Sequence, residues 1–177
     1  IADLEQSRGI LLSIYDSLHY KVAECDVLLA EAALAANDPA ASLRFSDAAL
    51  RIIQDRAHAL KASKVPKAFP GPHILPDAIY WNVMAKRMLE GTISAQWKDD
   101  VDLAITALAR NKAAVEDEAS KLLLIGAQNR LFTLATEMAY DAWSTTGTEE
   151  DLDRFLRLAE ADRSTLLKSR LNAFAGI

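Results

Sequence analysis

Apolar residues recur along this chain at helical spacing, three, four and seven apart, with almost no alternation of the kind that marks strands. The first segment, about Asp3 to Tyr15, places Leu4, Leu11 and Ile14 on one face. Asp16-Ser17-Leu18 reads as a break. A second helix runs from about His19 to Ala36. Val22, Leu28, Leu29 and its alanines give it an apolar surface wider than one stripe, as expected of a helix packed on two sides. Asn37-Asp38-Pro39 is a stop and restart. Asp38 can accept from the free amides of the next first turn, and Pro39 suits the first helical position, where no donor is needed. The third helix then reaches about Leu60, with Leu43, Leu50 and Ile53 inward.

Residues 61–76 hold four of the five prolines, Pro66, Pro70, Pro72 and Pro76, so this stretch reads as an irregular inter-repeat loop. A fourth helix follows, about Asp77 to Glu90, stopped at Gly91. A fifth covers about Trp97 to Glu116, and a sixth about Ser120 to Thr145, stopped at Gly147. Thr148 and Asp151 have capping-box spacing, although Asp is shorter than the preferred Glu. The seventh helix runs from about Glu149 to Phe174. The pattern therefore predicts an all-α fold of about seven helices.

Composition narrows the class. Apolar residues make up 51 % of the 177 and charged residues 25 %, a globular balance. Ala and Leu supply about a third of the chain, a helix-former bias. The formal net charge of −5 argues against a nucleic-acid partner. No apolar run approaches the ~20 residues of a membrane span. A single cysteine allows no internal disulfide, which fits a reducing, cytoplasmic setting.

A weak internal repeat points to an α-solenoid. Gly9-Ile10-Leu11 and Ala49-Leu50-Arg51 hold like places in their helices, about 40 residues apart. Between them, Leu29, Ala30, Ala33, Ser42 and Ala49 put small or apolar residues where paired antiparallel helices approach closely. This is a degraded tetratricopeptide pattern, longer than the ~34-residue standard and without the usual Trp and Tyr of the first helix. The expected architecture is a right-handed solenoid of antiparallel helix pairs forming one domain over 1–177.

The C-terminal third is more distinctive. A helix opening Ser120-Lys121-Leu122-Leu123-Leu124 ends Glu137-Met138-Ala139-Tyr140-Asp141-Ala142-Trp143. Thr146-Gly147-Thr148 follows, then Phe155-Leu156-Arg157-Leu158-Ala159-Glu160 and Ser164-Thr165-Leu166-Leu167. This resembles the tetratricopeptide region of bacterial CHAT-domain proteins, which lies just upstream of a caspase-like peptidase domain. Arg163-Ser164 stands where that family has Ser-Lys, and an acidic-polar segment replaces its aromatic near Asp151. The resemblance implies a helical scaffold that senses or binds a protein partner, and a peptidase in cis that would begin after Ile177. None of that peptidase's motifs occurs here, so it implies no catalytic residue in this chain.

The remaining candidates for chemistry are few. Cys25 lies among acidic neighbours on an apolar helix, the setting of an inert structural thiol. Asp16-Ser17-Leu18-His19 and Asp55-Arg56-Ala57-His58 share a D-x-x-H spacing, but di-iron bundles use Glu. His73 and the basic run Lys61, Lys64 and Lys67 read as solvated loop residues, and Glu116-Asp117-Glu118 as a solvated junction. Tyr80 and Trp81 are candidates for lining a peptide-binding concave face, with core packing as their other reading. Leu167 and Phe174 would belong to an apolar strip on the last helix, where a following domain would dock. The expectation is a non-enzymatic protein-interaction scaffold without metal or cofactor, partnered by a protein or peptide and by its own C-terminal domain. A free-standing peptide-binding adaptor is the alternative, settled by the residues after Ile177. A helical-bundle metalloenzyme is a more distant one, settled by metal analysis.

Overall fold

The computed structural model describes residues 1–62, 74–91, 97–114 and 118–175, with side chains described within 1–58, 74–91, 97–108 and 129–161 and at Arg163. Among the described residues it is all-helical: α1 (Ala2–Ile14), α2 (Tyr20–Ala35), α3 (Pro39–Ala62), α4 (Ile74–Glu90), α5 (Lys98–Ala114), α6 (Glu118–Thr146) and α7 (Glu149–Ala175). The chain divides into two compact units, Ile1–Thr92 and Ile93–Ile177.

In the first unit α2 is the central element, packed against α1, α3 and α4. Its turn into α3 follows from local chemistry. Asn37 takes the left-handed conformation, φ 61°, which Asn tolerates better than other side chains. Its amide donates to the Leu34 carbonyl at 2.9 Å and that of Asp38 to the Ala33 carbonyl at 2.9 Å, closing a Schellman motif. The Asp38 carboxylate then accepts from the Ala41 amide at 3.0 Å, and Pro39 opens α3. So short a turn folds α3 back along α2. The positions that need close approach are the ones expected: Leu29, Ala30, Ala33, Ser42 and Ala49 are all fully buried.

Two apolar clusters fill this unit. Val22, Ala23 and Val27 meet Ala49, Ile52, Ile53, Ile74 and Ala78. Cys25, Leu29, Ala30, Ala33 and Phe45 form the other, with Leu4, Leu11 and Trp81 packed against it. A buried polar bridge ties α3 to α4: the Asn82 amide donates to Ser46 Oγ at 3.1 Å and to Asp47 Oδ1 at 2.7 Å. Beside it, the Ser42 hydroxyl is fully buried and has no hydrogen-bond partner among the described residues. An unpaired hydroxyl in an apolar site costs on the order of 1–3 kcal/mol. Ser42→Ala is therefore expected to stabilise the protein by about 1 kcal/mol in urea unfolding, against the usual direction for a substitution in a core.

Three expectations need correction. Ile14, though at the helical spacing of Leu4 and Leu11, does not pack as they do: they are half-buried and it is 65 % exposed. Leu28 is likewise exposed on α2. Helix α4 starts at Ile74, not Asp77, because Pro76 falls in the first turn, where its missing amide costs nothing. Residues 61–62 and 74–76 of the expected loop are thus helical. Pro66, Pro70, Pro72, Lys64, Lys67 and His73 lie outside the described residues, as does the side chain of Lys61.

In the second unit α6 packs against α5 and α7. Trp97, Val101, Ala104 and Leu108 are buried near α5, and Leu131, Phe132, Leu134, Ala135, Met138 and Ala139 along α6. Gly147 ends α6 with φ +66°. Thr148 caps α7, its hydroxyl accepting from the Asp151 amide at 3.3 Å. The reciprocal half of the box is absent. The Asp151 carboxylate accepts from the hydroxyls of Thr146 and Thr148, at 2.6 and 2.8 Å, which hold it below the usual carboxylate range. The Thr148 amide goes instead to Thr146 Oγ1 at 3.3 Å.

Candidate functional site

Helix α1 has thirteen residues and none of them is buried. Leu4, Arg8 and Leu11, spaced four and three apart, face α2. Ile10, Leu12, Ile14 and Tyr15 stay exposed, at 52, 38, 65 and 40 %. Ile10 and Ile14 sit one turn apart on one flank of the seated line, with Leu12 on the other.

The seated face is held by an ion pair that the sequence did not single out. Asp26 is fully buried on α2 and receives Arg8 on both oxygens, from Nε to Oδ1 and from Nη2 to Oδ2, the latter at 3.3 Å. Burial pushes the Asp26 carboxyl above its usual range, and the Arg8 guanidinium opposes that rise. Beside it the Cys25 thiol donates to the Leu4 carbonyl at 3.5 Å, and burial pushes the thiol up. A thiol so placed is a packing residue, not a nucleophile. The missed signal was positional. Asp26 lies four residues from Val22 and from Ala30, in the middle of the buried face of α2, and Arg8 lies between Leu4 and Leu11 on α1.

The D-x-x-H residues do local work. The Asp16 carboxylate accepts from the Leu18 amide at 2.9 Å. His19 caps α2, its Nδ1 accepting from the Lys21 amide at 3.2 Å, and its ring stacks on Tyr15 at 4.0 Å. Asp55 and His58 are exposed on α3. Among the described residues no three His, Cys, Asp or Glu side chains gather to hold a metal ion.

Trp81 is half-buried and packs against both clusters of the first unit. Tyr80, also half-buried, meets it edge-on at 4.8 Å. The side chains of Leu167 and Phe174 lie outside the described residues. Within the second unit a cleft of about 370 Å³ opens between the first turns of α5 and α7. Arg154 crosses it to Asp102 at 2.8 Å, Arg157 is taken by Asp153 at 2.9 Å, and Lys98 and Glu150 complete a mixed-charge wall. Burial beside Arg157 lowers the Arg154 pKa, and burial beside Asp99 raises that of Asp102. No helix among the described residues is long and apolar enough to cross a membrane. Compared with known proteins, the chain matches no family model, no curated protein and no solved structure.

Proposed function

We propose that this chain is a protein–protein interaction scaffold of tetratricopeptide-like helix pairs, working in the cytoplasm as the sensing or regulatory region of a bacterial CHAT-type peptidase protein. It performs no chemistry of its own, and its partners are a protein or peptide and a C-terminal domain in cis. The observation that carries the interaction reading is the flank of α1 where Ile10 and Ile14 stay exposed one turn apart, next to the exposed Tyr15 that ends the helix, on a helix already seated through Leu4, Arg8 and Leu11. Clustered exposed apolar side chains of this kind mark contact surfaces. The helical composition, the acidic charge and the resemblance of the segment from Ser120 onward support the finer assignment.

The test compares the tagged chain with its Ile10→Asp/Ile14→Asp variant. Both substituted positions are exposed, so stability should change by no more than about 0.5 kcal/mol each. A protein recovered in stoichiometric amount with the parent chain from its native cells should be lost with the variant. Equal recovery with both chains would remove α1 as the contact surface.

A further inference from the structure

In the second unit the turn from α6 to α7 brings three aromatic rings together. Tyr140 and Trp143 lie three apart near the end of α6, and Phe155 sits on the second turn of α7. The Phe155 ring lies 5.7 Å from that of Tyr140 and 6.4 Å from that of Trp143, and the Tyr140 and Trp143 rings are 5.8 Å apart. Trp143 and Phe155 are nearly parallel, at 11°, while Tyr140 is inclined to Phe155 at 59° and to Trp143 at 64°. This cluster is not core. Tyr140 is 49 % exposed, Trp143 and Phe155 are half-buried, and Leu156 beside them is 55 % exposed. Trp is on average a highly buried residue, so rings left open at a helix turn form an exposed apolar patch.

The charge around the rings is one-sided. Residues 137–160 hold seven acidic and two basic side chains, a formal charge of −5, the same as that of the whole chain. The two cations are already engaged within the unit, Arg154 by Asp102 at 2.8 Å and Arg157 by Asp153 at 2.9 Å. On α6, Glu137 lies one turn before Tyr140 and Asp141 follows it, both exposed. We propose that this turn is a docking surface for a basic segment of a partner protein, with an arginine guanidinium laid on the open face of Tyr140 and the nearby carboxylates accepting from its N–H groups. The rings and the charge select this occupant together. A cation is drawn to the face of an aromatic ring, and arginine adds a planar group that stacks and a fork of donors that fits carboxylates. A purely apolar segment would desolvate those carboxylates without pairing them, and an acidic one would set like charges together. The proposal deepens the interaction reading by naming a partner chemistry on a surface other than α1; its test leaves α1 unaltered, so the two fail separately.

The probe is a fluorescein-labelled short peptide of alternating Arg and Gly, titrated with the whole chain and followed by anisotropy. It should bind saturably and more weakly as salt rises, and the same peptide with Glu for Arg should not bind. Tyr140→Leu keeps an apolar side chain and removes the ring, so it should weaken binding about threefold to fivefold, whereas Tyr140→Phe should bind as the parent does. Glu137→Gln/Asp141→Asn should also weaken binding and flatten its salt dependence. Asp55→Asn/Glu90→Gln, an equal change of charge at exposed positions of the first unit, should leave binding near that of the parent. These two charge-removing pairs test the site without touching a ring, should Tyr140→Leu fail to fold. No binding of the Arg peptide, or parent-like binding by a folded Tyr140→Leu chain, would overturn the proposal. Equal weakening by the two charge-removing pairs would reduce the effect to overall charge and overturn it as well. A parent chain that sediments as a dimer, with Tyr140→Leu a monomer, would give the surface to a second copy of this chain and reject the basic segment.

Discussion

Arg8→Ala should destabilise the protein by about 3 kcal/mol at neutral pH, far more than loss of a surface ion pair. Arg8 is itself one-third exposed, which places the effect at the lower end of that class. The cost arises at its partner: the Asp26 carboxylate, without contact to solvent, loses the two N–H donors that satisfy it. The effect has a pH signature. Burial already raises the folded-state pKa of Asp26, so the folded chain binds this proton more readily than the unfolded chain. The penalty of keeping the group charged is therefore fully present above the raised folded value. It shrinks as pH falls through that value toward the ordinary carboxylate range of about 4. Removing Arg8 removes the opposing attraction and moves the window upward. The gap between Arg8→Ala and the parent, read from urea unfolding at a series of pH values, should be widest near neutrality and narrow on acidification. A pH-independent gap would mean that lost packing, not an uncompensated charge, explains it. Arg8→Met with Asp26→Leu, which removes both charges and keeps volume, should recover most of the loss.

Leu29→Ala should cost about 3 kcal/mol or more. Leu29 is fully buried, and its cluster draws on α1, α2, α3 and the Trp81 ring of α4, so a void there is shared by every helix of the first unit. Equilibrium unfolding of the variant measures it. A loss under about 1 kcal/mol would show that the cluster collapses around the missing methyl groups, as a loosely packed site does.

Much of the fold was legible because helix ends are local chemistry. Asn37, Asp38 and Pro39 specify the end of α2 and the start of α3 within three residues. Gly91 and Gly147 stop α4 and α6 with positive φ. Small residues at Ala30, Ala33, Ser42 and Ala49 announced the close approach of α2 and α3 because nothing larger would fit there. The errors came where periodicity allows two answers. Ile14 has the spacing of Leu4 and Leu11, but it stands at the end of α1, where the chain turns away at Tyr15, and stays exposed. Pro76 reads as a loop residue until its place in a first turn is known. At Thr148 the box spacing was right, but the aspartate reached hydroxyls instead of its partner's amide.

The candidate surface was harder to read because its two halves lie far apart in kind. The outer face of α1 is visible in the sequence only as surplus apolar residues. The Arg8–Asp26 pair is visible only if a lone carboxylate on an apolar helix face prompts a search for its cation. Trp81 was named as a groove residue with core packing as its other reading, and its contacts with both clusters place it against the core.

The most direct measurement of the interaction role is site-specific photo-crosslinking in the native cell. A photoreactive phenylalanine at Ile14 on the outer face of α1 is compared with one at Gln54, an exposed polar position on α3. The scaffold reading predicts a discrete adduct of defined mass from Ile14 and none from Gln54. Adducts of equal yield from both positions, or none from Ile14, would contradict it.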